Sequence, residues 1–157
     1  MGIEEENGFS LIELLIVVAI ILIIAAIAIP NFLHSRMSAN ETSAAGSLRS
    51  INTACVTYTT SYGIGFPSSL ATLGTSGAAS STSADILDSV LASGVKSGYT
   101  FTYVAGPQSS GMVLTYIVNA DPVVPGQTGI RHFYTDQSFV IRFNVSAAAT
   151  VSDSPIQ

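Results

Sequence analysis

The sequence contains few of the residue types that carry chemistry. It has one cysteine, two histidines and no tryptophan, and only 10% of its residues are charged. A single cysteine cannot close a disulfide within the chain, so the fold must hold by packing. The five lysines and arginines are scattered, and the sequence pI is about 4.6, which argues against direct binding of nucleic acid.

Motifs for catalysis and metal binding are also missing. The sequence has no GxSxG elbow, no phosphate-binding GxxxxGK[ST] loop and no HExxH pair. His34 and His132 have no second ligand at metal spacing, so we interpret both as ordinary surface or interface residues. Asp121, Asp136 and Asp153 are too scattered to supply the six to eight converging oxygens that calcium needs. We expect no catalytic residue, no metal and no cofactor, and hence no enzyme.

The hydrophobic residues, 48% of the chain, are concentrated near the N-terminus. From Leu14 to Ile29 the sequence reads LLIVVAIILIIAAIAI, and back to Phe9 only Ser10 and Glu13 interrupt the apolar run. This is roughly the 20 residues that a membrane-spanning helix requires. It exceeds the ~7 to 15 apolar residues of a secretory signal peptide. A carboxylate inside a membrane segment costs about 2.5 to 3.5 kcal/mol, so Glu13 needs a partner or a position near water.

These residues carry a family resemblance. The segment 8–15, GFSLIELL, runs into an apolar tract that ends in AIPNF at residues 28–32. This pattern resembles the N-terminal signature of type IV pilins and of type II secretion pseudopilins. The resemblance implies that a prepilin peptidase cuts after Gly8, that the new N-terminal Phe9 is N-methylated, and that Glu13 takes part in filament assembly.

The sequence departs from the family pattern in three ways. Family leaders are usually basic, whereas this one carries glutamates at positions 4–6, so the positive-inside rule does not support a cytoplasmic leader. The apolar tract lacks the glycine that many members carry near its middle, which leaves Pro30 to interrupt the helix. Many pilins also close a C-terminal loop with a disulfide, which the lone Cys55 rules out here.

Beyond the apolar tract, the hydrophobic pattern becomes that of an amphipathic helix. Apolar residues recur at intervals of three and four, with Ser, Thr, Asn and Arg49 on the other faces. The stripe comprises Ala44, Leu48, Ile51, Cys55, Tyr58 and Tyr62. We therefore predict one long helix from Phe9 to about Tyr62, kinked at Pro30 and ended by the Gly63, Gly65 and Pro67 that follow. Cys55 is expected to be a small buried hydrophobe.

The remainder predicts a small α+β head. A Gly/Ser/Thr/Ala-rich loop at 74–83 leads into a predicted short helix at 84–93, with Ser83 as its cap, Asp85 in its first turn and Gly94 beyond its end. The pattern then alternates with a period of two, which indicates strands. Four are predicted, at 99–104, 112–119, 131–135 and 139–144, forming an antiparallel sheet packed on the amphipathic half of the long helix.

The sequence thus divides into a cleaved leader at 1–8, an apolar transmembrane and assembly helix at 9–36, and a pilin head at 37–157. We predict a structural subunit of a type IV pilus that serves surface adhesion or motility. The alternatives are a pseudopilin of a type II secretion system and a membrane-anchored binding domain. Expected partners are other copies of the chain, prepilin peptidase, the inner-membrane assembly machinery with its ATPase, and membrane lipid before assembly. The precursor would lie in the inner membrane, and the product in an extracellular pilus or a periplasmic pseudopilus.

Overall fold

The computed structural model describes residues 9–75 and 77–156. The chain forms two compact units, Met1–Ser35 and Arg36–Gln157. The predicted leader and its cleavage residue Gly8 lie outside the described residues, and the predicted division into segments 1–8, 9–36 and 37–157 stays a prediction.

The long helix, α1, spans Leu11–Tyr62. It begins two residues later than predicted and contains Pro30, whose missing N–H removes one bond from the helical ladder. One residue on, the Asn31 Nδ2 donates to the Ile27 carbonyl at 3.1 Å. Gly63 follows the last residue of α1 with a φ of 65°, and its N–H donates to the Thr59 carbonyl. A left-handed residue of this kind is a common helix end, as the sequence predicted.

The apolar stripe of α1 faces the core of the head, which confirms the helical interpretation of residues 44–62. Its members are buried except Tyr62, which is half-buried against the same core. Asn52 corrects the prediction that asparagine lies on the outer faces, because its side chain is buried. Its Nδ2 donates to the Thr135 Oγ1 at 3.0 Å, and its Oδ1 accepts from the Tyr116 hydroxyl at 2.9 Å. These bonds join α1 to the sheet.

The head contains an antiparallel sheet of six strands rather than the predicted four, in the order β1-β2-β5-β6-β7-β8, and a separate hairpin of β3 and β4. The strands are β1 Val95–Lys96, β2 Tyr99–Ala105, β3 Gln108–Ser109, β4 Met112–Val113, β5 Tyr116–Pro122, β6 His132–Asp136, β7 Arg142–Asn144 and β8 Ser154–Pro155. The α+β class with a long N-terminal helix on an antiparallel sheet is confirmed.

The predicted strand at 112–119 is in fact two. Met112 and Val113 pair with β3 across a turn in which Ser110 and Gly111 have φ of 53° and 80°, and only residues from Tyr116 onward join the main sheet. The predicted strand at 139–144 begins late, because Phe139 has a φ of 64° and lies in the turn before β7.

The second helix, α2, spans only Ser89–Ala92, so the predicted helix at 84–93 was too long. Its cap is Asp88 rather than Ser83, since an Asp88 carboxylate oxygen accepts from the Val90 N–H. Residues 84–87 instead donate three N–H groups to the carbonyls of a short 3-10 helix, Ala71–Leu73. Asp85 has a φ of 52°, which no helical first turn allows. Gly94 follows α2 with a φ of 84°, as predicted.

Candidate assembly site

The predicted site residues Phe9 and Glu13 both lie at the start of α1. Phe9 is exposed just before the helix, and the Ser10 N–H donates to the Glu13 Oε2 at 2.9 Å. The Ser10 carbonyl accepts the first helical bond, from the Leu14 N–H at 3.2 Å. Ser10 is therefore the N-cap and Glu13 the third helical residue, the spacing of a capping box. The sequence analysis missed this role of Ser10, although the Ser-x-x-Glu spacing is itself the signal.

The Glu13 carboxylate has capacity for a second partner. Its Oε1 makes no hydrogen bond, and the side chain forms no ion pair, within residues 9–75 and 77–156. A negative charge in the first turn is favoured by the helix dipole by about 0.3 to 1 kcal/mol. That gain is small beside the cost of desolvating the carboxylate in an apolar environment. The geometry therefore leaves the Glu13 Oε1 as a free acceptor at the N-terminal end of α1, the end at which Phe9 lies.

The surface that follows Glu13 is apolar on every side. Large side chains from Leu14 to Leu33 are exposed, and an 18-residue window of α1 has a mean hydropathy of 3.3 with none of it buried. Soluble monomers rarely expose a continuous apolar surface this large. Such a surface marks a site that binds another molecule or a membrane. The segment is long and apolar enough to cross a membrane as a helix. A helix with this surface needs an apolar surrounding.

His132 and the three aspartates weighed in the sequence analysis each have a hydrogen-bond partner on the head. The His132 Nδ1 lies 2.6 Å from the Asp121 Oδ1. Asp136 accepts from the Ser138 N–H and Asp153 from the Thr150 N–H, both within local turns. No group of three or more His, Cys, Asp or Glu side chains that could hold a metal is found among the described residues.

Cys55 is buried as predicted, between α1 and the sheet. Burial raises the pKa of its thiol to about 12. This effect outweighs hydrogen bonds with Tyr116 and Tyr103, which lower the pKa. The nucleophilic form of cysteine is the thiolate, so the folded chain offers almost no reactive thiol at neutral pH. The burial assigns Cys55 to the core of the head.

Comparison with known proteins identifies the N-terminal segment. Residues 5–29 match the model of the prokaryotic N-terminal methylation motif. The chain is 59% identical over 39 residues to the type IV wide pilus major component PilA4 of Thermus thermophilus. It is 53% identical over 50 residues to the type IV major pilin protein PilA of Myxococcus xanthus.

The similarity to these pilins is confined to part of each chain. It covers 25% of this chain and 30% of the Thermus protein, and 32% of this chain and 23% of the Myxococcus protein. No solved structure matches the chain significantly.

Proposed function

We propose that this chain is a non-enzymatic structural subunit of a type IV pilus, cleaved between Gly8 and Phe9 and polymerised through α1. The observation that carries the proposal is the conjunction of the methylation motif with a helix whose apolar surface is exposed on all sides. The two similar proteins are major pilus components, which favours a surface pilus over a secretion pseudopilus.

The same apolar surface serves two states. Before assembly the segment at 9–36 lies in the inner membrane, where lipid covers it. In the filament the corresponding segments of other copies replace the lipid, so no apolar surface becomes exposed to water. A filament that grows without closing into a ring requires contacts between unlike surfaces of the subunit. The assembly machinery with its ATPase supplies the work of extracting the subunit from the membrane.

Cleavage creates the partner for Glu13. In the precursor Phe9 contributes an amide nitrogen, whereas after cleavage it carries a cationic amine, still cationic when N-methylated. Glu13 of an incoming subunit then pairs with the Phe9 amine of a docked one. In a dry helical bundle, removing one partner of a buried ion pair costs about 3 to 5 kcal/mol. The pairing therefore sets the axial position of each new subunit.

Mass spectrometry of fibres sheared from the cell surface tests this function. The subunit should begin at N-methylated Phe9, and loss of the three leader glutamates changes the formal charge of the chain from −5 to −2. An assembled subunit that kept its first eight residues would refute the pilin function. A membrane-bound protein with an intact N-terminus and no fibres would instead identify an anchored binding domain.

A further inference from the structure

The turn between β6 and β7 holds an aromatic side chain in a strained backbone conformation. Phe139 has a φ of 64°, a region that bulky residues rarely occupy. Its ring is nevertheless not used in the core, since 43% of the residue is exposed. Strain that persists in a folded protein must be held by its surroundings, and such positions concentrate at functional surfaces.

A buried polar network holds this turn against α1. The Asn52 Nδ2 contacts both the Thr135 Oγ1 at 3.0 Å and the Phe139 carbonyl at 3.4 Å. The Phe139 N–H donates to the Asp136 carbonyl, and an Asp136 carboxylate oxygen accepts from the Ser138 N–H at 2.8 Å. Because Asn52 is buried, its bonds fix where the turn lies on the helix.

Phe139 lies in an apolar patch with one cation, which we name the turn patch and define as Arg49, Val56, Phe139 and Val140. Val56 and Val140 are 44% and 37% exposed. Arg49 and Phe139 both line two adjoining hollows, of about 250 Å³ and 240 Å³. The Arg49 guanidinium makes no hydrogen bond or ion pair with any described residue. The turn patch thus presents open apolar surface around an unneutralised positive charge.

The head also carries an exposed carboxylate without a partner among the described residues. Asp85 is exposed, has a φ of 52°, and its carboxylate has no hydrogen bond or ion pair to the parts of the chain described. The other acidic side chains of the head are each engaged, in ion pairs or in turns; these are Glu41, Asp88, Asp121, Asp136 and Asp153. Asp85 is therefore the natural counterpart of Arg49.

We propose that the turn patch is a docking surface for a second copy of this chain, with Arg49 of one copy pairing with Asp85 of the next. The proposal rests on the proposed filament function. Arg49 lies on α1 and Asp85 in the segment before α2, so a contact between two copies joins two different elements of the subunit. It is also continuous with α1, the element through which assembly is proposed.

Replacing Phe139 separates docking from folding. Phe139→Asn removes the ring and places at the left-handed position a residue that tolerates it. The full chain in detergent should unfold at the same or a higher temperature than wild type, while surface filaments fall by about tenfold or more. Ser110→Gly relieves a similar φ of 53° in the distant β3–β4 turn and should leave filament number unchanged.

Charge reversal tests the pairing between copies. Arg49→Asp and Asp85→Arg should each lower filament number when expressed alone. Co-expression of the two single variants should restore filaments, because every contact in an alternating copolymer then joins opposite charges. Asp85→Ala supplies no cation to meet the reversed charge at position 49, so its co-expression with Arg49→Asp serves as the control and should restore fewer filaments.

The outcomes separate the two proposals. Normal filaments from Phe139→Asn, or no restoration by co-expression, would overturn the docking surface while wild-type filaments still support the pilin function. A wild-type chain that forms no filament would overturn both. A Phe139→Asn chain that unfolds at a clearly lower temperature would show that the ring is a packing residue, and this too would overturn the proposal.

Discussion

The two halves of α1 differ in what surrounds them. Residues 11–33 expose large apolar side chains in every direction and bury none. Residues 37–62 instead bury one stripe in the head and expose mostly Ser and Thr. One continuous helix thus follows two rules, since an all-round apolar helix requires an apolar surrounding and an amphipathic helix requires only one apolar neighbour. The first half therefore depends on an apolar surrounding, whereas the second half is part of the folded head.

The largest effect is expected in the head half of α1. Leu48 is fully buried in the core, so Leu48→Ala should lower the free energy of unfolding of the head by about 2 to 5 kcal/mol. Ile21→Ala, in the exposed half, should leave the unfolding transition of the head where it is. Thermal unfolding of the full chain in detergent measures both. Equal destabilisation by the two changes would show that the halves are not independent.

A charge in the apolar half gives the converse result. Ile21→Lys places an ammonium in the middle of the apolar run and should disfavour membrane insertion by about 2.5 to 3.5 kcal/mol. Thr57→Lys, on the exposed face of the head half, should have no such effect. The amount of each variant in the membrane fraction reports the difference. Full insertion and assembly of Ile21→Lys would mean that water reaches this part of the helix.

Alkaline pH should weaken the head alone. The raised pKa of Cys55, about 12 against an ordinary 9.0, means that the unfolded chain releases this proton first as pH rises. Burial also raises the pKa of Tyr99, Tyr103 and Tyr116, which acts in the same direction. Stability should therefore be unaffected below pH 9 and fall above it, for the thiol by up to about 1.4 kcal/mol per pH unit until pH 12. Chemical unfolding between pH 8 and 11 measures the slope. A stability that stays constant over this range would place these groups in water.

The smallest effect concerns thiol reactivity at neutral pH. Cys55 should react slowly with a thiol reagent in the folded chain and rapidly after denaturation, because it is buried and protonated. The change in labelling rate needs no variant and leaves stability untouched. Rapid labelling of the native chain would show that the stripe on the head half of α1 faces solvent.

The sequence predicted the features that depend on local pattern. The extent of α1 and the burial of its stripe follow from periodicity, and the central strands follow from alternation. The edge strands β1 and β8 have two residues each, which is too short to show an alternating hydrophobic pattern. The sequence pattern could not predict the length of α2. Residues 84–87 form hydrogen bonds with the 3-10 helix Ala71–Leu73, and this contact leaves no signal in the local sequence. Asn52 was missed because its role depends on Thr135 and Tyr116, both distant in sequence.

The candidate site divides in the same way. The family resemblance supplied Gly8, Phe9 and Glu13, and the structure adds the bond between Ser10 and Glu13. The turn patch could not be predicted, since the φ of Phe139 and the lack of a partner for Arg49 within residues 9–75 and 77–156 emerge only from the folded head.

Filament yield from Glu13→Gln is the most direct test of the assembly role of α1. The glutamine oxygen can still accept from the Ser10 N–H, so the helix cap survives and only the charge is lost. We expect the variant to enter the membrane and to be cleaved after Gly8, as neither step needs the carboxylate, but to yield few filaments. Glu13→Gln subunits that are cleaved and assembled at the wild-type rate would contradict the pairing of Glu13 with the Phe9 amine and leave the carboxylate a helix cap.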